Sequence, residues 1–125
     1  LLSFDVNEYI FEDEIIIKNK DSQKNFQIHL TYYDIDDIQK ITEQLNFIKS
    51  EIENKGETID TIELLKNNLI NLQNQIYQII FKNDLEDIRK TAKTSSLFNK
   101  IFETVIIKIL NVQNSKNLSN FKKKN

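Results

Sequence analysis

His29 is the one histidine in this 125-residue chain, and it stands between Ile28 and Leu30 with no carboxylate at i±4. A general base or a metal ligand needs a partner that fixes its ring orientation and tautomer. None is within helical reach, so a half-buried or surface histidine is expected. Two acidic clusters come next, Glu12-Asp13-Glu14 and Asp34-Ile35-Asp36-Asp37. A calcium loop counted from Asp34 would need glycine at its sixth position and glutamate at its twelfth, where Gln39 and Leu45 stand. Both clusters fit better as negative charges at the positive ends of helices.

The chain has no cysteine, which removes disulfides, thiolate metal sites and cysteine nucleophiles together. It carries no phosphate-binding glycine loop, no nucleophile elbow and no Glu-x-x-His pair. The expectation is therefore a non-enzymatic protein with no catalytic residue, no cofactor and no metal. Nineteen acidic groups oppose seventeen basic ones for a net charge of −2, which gives no bulk attraction to nucleic acid or anionic membrane. The cluster Lys122-Lys123-Lys124 offers only a few counterions' worth of phosphate affinity and is expected to be a solvated tail. No apolar run approaches the ~18 residues of a membrane span.

The elements around these residues follow from spacing. With no proline and a single glycine, the usual punctuation of hairpins is missing, which favours long helices joined by polar turns. A helix is expected to start at Asp34 as cap. Its apolar residues Ile38, Ile41, Leu45, Ile48 and Ile52 fall within an arc of roughly 80° and predict one buried stripe. Lys55-Gly56 is its expected end, with the glycine as a left-handed cap.

Thr58 is the expected cap of a central helix carrying Ile59, Ile62, Leu65, Leu69, Leu72, Ile76 and Ile79, widened by Ile70, Tyr77, Ile80 and Phe81. Asn83-Asp84 marks the next break. Leu85, Ile88, Ala92, Phe98, Ile101, Val105, Ile109 and Val112 share one more face, interrupted at Thr94-Ser95-Ser96, where hydroxyls compete for backbone bonds and a kink or two-part helix is expected.

The first third is ambiguous. Glu14-Ile15-Ile16-Ile17-Lys18 and Asn25-Phe26-Gln27-Ile28-His29-Leu30-Thr31-Tyr32 could pair as strands across the polar link at residues 19–24. Phe26, Leu30 and Tyr33 equally fit helical spacing. Because a lone hairpin is marginal without a further packing layer, helix is expected over residues 13–32. The fold class expected is thus all-α, a single-domain antiparallel bundle of four to five helices over residues 1–113. Residues 114–125 are expected to form a polar, lysine-rich, frayed tail.

Two places carry more apolar surface than one bundle needs. Phe47 lies about 180° from Ile38 on its helix, and Ile107 and Leu110 sit off the Ile101/Val105/Ile109 face. Either the N-terminal segment folds over them, or Phe47, Ile107 and Leu110 contact another protein or a second copy of the chain. Monomer and homodimer both stay open.

From Tyr33 onward a tyrosine, four mostly polar or acidic residues and then Ile38-x-x-Ile41-x-x-x-Leu45-x-x-Ile48-Lys49 resemble the helical surface lipoproteins of Lyme-disease spirochaetes (Borrelia), the CspA-like complement-regulator-acquiring family. Leu1-Leu2-Ser3-Phe4 with Glu12-Asp13-Glu14-Ile15 is similar to that family's approach to its second helix. Leu85-Glu86-Asp87-Ile88-Arg89-Lys90, leading to Phe98-Asn99-Lys100-Ile101-Phe102-Glu103-Thr104, resembles its penultimate long helix. The isoleucine- and asparagine-rich composition, with sixteen lysines to one arginine, is also similar and suggests an AT-rich genome.

The resemblance implies an all-helical bundle on the outer membrane surface, tethered through a lipidated cysteine upstream. Its partner would be a host or tick-vector protein, such as a complement component. The chain departs from the family at its end, where Leu118-Ser119-Asn120-Phe121 and lysines replace the long last helix, so no family binding residue carries over. The alternative is an intracellular all-helical adaptor or assembly subunit from another AT-rich organism. Leu1-Leu2-Ser3-Phe4 in place of an initiator methionine is expected of a mature or trimmed fragment, and an upstream apolar run and cysteine would separate the two readings.

Overall fold

Alternation of two, not of three and four, governs the N-terminal third of the computed structural model. Its backbone is described for residues 1–54 and 58–123 and its side chains for 1–54 and 58–111. Phe26, Ile28 and Leu30 are buried while Gln27 is exposed, and across from them Phe11 and Ile17 are buried while Glu12, Glu14 and Ile16 are exposed. These residues form an antiparallel hairpin of β1 (Tyr9–Asn19) and β2 (Ser22–Thr31). The all-α bundle, and the helix at residues 13–32 in particular, is thereby corrected to a two-stranded sheet followed by helices.

The strands meet through a two-residue turn at Lys20-Asp21, where Lys20 takes a φ of 50°. Positive φ at the first central residue is the primed geometry that matches the twist of paired strands. The Ser22 hydroxyl donates to the Asn19 carbonyl at 3.0 Å and fastens the turn.

The helices that follow are α1 (Tyr32–Asn54), α2 (Ile59–Phe81), a 3₁₀ turn (Lys82–Asp84), α3 (Leu85–Ala92) and α4 (Ser95–Lys123). α1 begins earlier than expected, because Asp34 serves as the third helical residue and not as the cap. Its carboxylate accepts the Thr31 amide at 3.0 Å, while Thr31 Oγ1 accepts the Asp34 amide at 3.3 Å. This reciprocal box satisfies two donors that a helix start otherwise leaves open. Thr58 caps α2 as expected, accepting the Thr61 amide at 3.4 Å. The expected glycine cap at Lys55-Gly56 lies outside the described residues.

The hydroxyl run breaks the last long pattern into two helices. Lys93, at φ 66°, ends α3 with its amide donated to the Arg89 carbonyl at 3.2 Å, and Thr94 Oγ1 accepts the Leu97 amide at 3.1 Å to start α4. The segment matched to a single long family helix is therefore two helices. The backbone of α4 continues to Lys123, through most of the stretch expected to be a frayed tail, while the side chains from Val112 onward lie outside the described residues.

The chain divides into two compact units, one of Leu1–Ile10 with His29–Leu85 and the other of Phe11–Ile28 with Glu86–Asn125. In the first, the α1 stripe of Ile38, Ile41, Leu45, Ile48 and Ile52 is buried or half-buried as read from its spacing, with Ile76, Tyr77, Ile80 and Phe81 buried on α2. Ile59, assigned to the same α2 stripe, is instead exposed. In the second, Phe11, Ile17, Phe26 and Ile28 of the hairpin are buried, as are Ile88, Ala92, Phe98, Val105 and Ile109 of α3 and α4. That shared core is the packing layer which makes a two-stranded sheet tenable.

Candidate functional site

Within the second unit, alternation along β1 turns Phe11, Asp13, Ile15 and Ile17 to one side and leaves Glu12, Glu14 and Ile16 on the other. Helical spacing on α4 brings Leu97, Ile101, Thr104, Val105 and Lys108 onto neighbouring positions of one face. Ile15 and Ile28 from the hairpin, with Leu97, Ile101 and Val105 from α4, wall an open cleft of about 240 Å³. Asp13, Glu14, Lys100, Thr104 and Lys108 complete its rim.

The rim is held by an ion pair. Lys108 Nζ donates to Asp13 Oδ2 at 2.8 Å, and the Glu14 amide donates to Asp13 Oδ1 at 2.8 Å. The hydrogen bond from Lys108, then that from the Glu14 amide, hold the Asp13 carboxyl below its ordinary value of 3.8 against a smaller opposing effect of burial. Lys24 secures β2 to α3 in the same unit, its ammonium lying 2.6 and 2.7 Å from the two oxygens of Asp87 and 5.7 Å from the Phe26 ring centre. Arg89 lies over the Phe98 ring at 5.0 Å. These contacts fix the walls more than they add stability, since each pair is half-exposed.

The acidic cluster Glu12-Asp13-Glu14 is therefore a strand segment, and its expected role at a helix start is corrected: Asp13 faces α4 and clamps the cleft. Asp34, Asp36 and Asp37 do sit in the opening turns of α1. Asp36 accepts from Lys40 at 2.9 Å, and that bond raises the Lys40 ammonium above its ordinary 10.5. A second, wider depression in the first unit is lined by Asp37, Lys40, Ile41, Gln75, Gln78 and Ile79.

His29 is half-buried on β2, its ring centre 5.0 Å from that of Tyr9 in a tilted stack. Among the described residues no group of three or more His, Asp or Glu side chains is placed to hold a metal ion. No helix among them is long and apolar enough to cross a membrane.

The three residues singled out for protein contact are all exposed. Phe47 on α1 is 66% accessible, and on α4 Ile107 and Leu110 are 57% and 51% accessible. The N-terminal segment covers none of them, and Leu1, Leu2, Phe4 and Val6 are themselves exposed. Phe47 belongs to the first unit, Ile107 and Leu110 to the second. Sequence reading missed the cleft because it placed residues 13–32 on a helix. The signal that could have found it is the alternation of Phe11, Asp13, Ile15 and Ile17 against Phe26, Ile28 and Leu30.

The chain matches no protein-family model, no curated protein and no solved structure.

Proposed function

We propose that this chain is a non-enzymatic protein-binding domain that offers outward helix faces to another protein. One observation carries the reading. α4 is apolar on two sides, with Phe98, Val105 and Ile109 in the core and Ile107 with Leu110, one turn apart, left accessible beside the half-buried Phe102 and Ile106. Large apolar side chains grouped on one helix face are the usual anchors of a binding surface. Phe47 is the corresponding anchor on α1.

The partner proposed is a host or vector protein met at a lipid-anchored outer surface, on the strength of the resemblance at residues 33–49. The hairpin departs from the all-helical bundle that the resemblance implied, so the surface location and the binding role are tested separately. For the binding role, the immobilised chain is exposed to serum and to vector extract beside Phe47→Ala and the double variant Ile107→Gln/Leu110→Gln. A captured protein should fall at least about fivefold in yield with one of the variants while melting temperature stays unchanged. Equal capture by all three chains overturns the assigned faces. For the location, protease added to intact cells of the source organism should degrade the chain; full protection favours the intracellular adaptor.

A further inference from the structure

The cleft between the hairpin and α4 is used by neither anchor face, and its lining specifies a ligand class. Its floor is aliphatic throughout: Ile15, Ile28, Leu97, Ile101 and Val105. At about 240 Å³ it is smaller than the ~300–1,000 Å³ typical of drug- and cofactor-sized sites. It is larger than the ~150 Å³ apolar cavity known to hold a benzene ring. A short aliphatic chain or a single ring fits that volume.

Charge at the rim decides the polar end. Asp13 and Lys108 neutralise one another at 2.8 Å. Glu14 borders the cleft as well, but the alternation that turns Asp13 and Ile15 inward directs its exposed side chain to the outward side of β1. Lys100 lines the cleft and its ammonium has no ion-pair partner among the described residues. The cleft thus combines an aliphatic floor with a lysine at its edge that has no ion-pair partner among the described residues, and a charge-assisted contact there favours an anionic head group.

We propose that this cleft binds a medium-chain aliphatic monocarboxylate, a free fatty acid of roughly eight carbons, with the tail against Ile15, Ile28, Ile101 and Val105 and the carboxylate on Lys100. The reading stands apart from the protein-binding role and does not need it.

Amide NMR titration of the full chain with octanoate tests the proposal, with 1-octanol as the uncharged control. Saturable shifts confined to the residues around Ile15, Ile28, Leu97, Ile101 and Thr104 are expected, with a Kd of about 0.1–1 mM. Octanol should bind about threefold to tenfold more weakly, and Lys100→Gln should bring octanoate down to the octanol level without changing octanol itself. Thr104→Trp, at an exposed rim position, should abolish both by filling the cleft. Three results each overturn the proposal: no saturable shift with octanoate, shifts centred elsewhere, or an octanoate preference that survives Lys100→Gln. Because Lys100 and Thr104 are both exposed, the two variants are expected to fold, and their melting curves check it.

Discussion

Asp34 Oδ2 sits 2.9 Å from the ammonium of Lys82, so the residue that opens α1 also holds the residue that closes α2. The same oxygen accepts the Thr31 amide, and the Asp34 side chain is the less accessible of the ion pair, at 23% against 46%. Capping and pairing are thus concentrated on one carboxylate, and its loss costs both. Asp34→Ala should destabilise the chain by about 1–2 kcal/mol, mainly through the broken capping box. Lys82→Ala should cost less than about 1 kcal/mol, as exposed pairs do. Thermal unfolding of the two single variants and the double variant measures both; a Lys82→Ala loss as large as that of Asp34→Ala would show the pair, not the cap, to dominate.

Three non-glycine residues take positive φ among the described residues, and all three are lysines: Lys20, Lys82 and Lys93. A side chain bearing a Cβ pays steric strain there that glycine does not. Lys93→Gly, at the left-handed position after α3, should raise stability by about 0.5–1 kcal/mol, and Lys20→Gly in the hairpin turn by a similar amount. Lys82→Gly should be close to neutral, because relief at φ 50° is offset by loss of the contact to Asp34. Calorimetric melting of the three variants side by side gives the ranking.

Acid should loosen the cleft. The Asp13 carboxyl titrates below its ordinary 3.8 in the folded chain, so the stability it contributes is present above that value and is lost as pH falls through the lower folded one. Lys108→Gln removes the largest cause and should bring the Asp13 carboxyl back toward 3.8. Carboxyl NMR titration from pH 6 to about pH 2 checks this. A midpoint unmoved by Lys108→Gln would assign the shift to the Glu14 amide instead.

Binding and folding should separate cleanly on α4. Ile107→Gln and Leu110→Gln alter exposed positions and should change stability by no more than about 0.5 kcal/mol. Ile109→Ala, at a side chain 2% accessible between them, should cost about 2–4 kcal/mol through a cavity in the core. Urea unfolding distinguishes them, and a large loss from Leu110→Gln would mean that this face is packed and not presented.

The helical part of this fold was legible because its signals are local. The three-and-four spacing from Ile38 to Ile52 marks the buried stripe of α1, Thr58 caps α2, and the hydroxyls at 94–96 divide α3 from α4. The hairpin was not, because Phe26 and Leu30 satisfy both periods and the choice between them depends on α3 and α4, some sixty residues downstream. Nor did composition help, since the turn uses Lys20-Asp21 where asparagine and glycine are the usual sign. Helix angles set Phe47, Ile107 and Leu110 off the buried stripes but left open whether the N-terminal segment covers them, and they are exposed. The cleft did not, for it exists only where Asp13 and Ile15 on a strand face Lys108 and Ile101 on a helix.

The second compact unit is built from segments at 11–28 and 86–125 that flank most of the first. During translation the strand tips emerge early, and their oily faces at Phe11, Ile17, Phe26 and Ile28 stay without cover until the last helix has left the ribosome. A stop codon or proteolytic nick ahead of residue 86 would therefore strand the hairpin while sparing α1 and α2, and a nascent chain paused there is the form most in need of a chaperone.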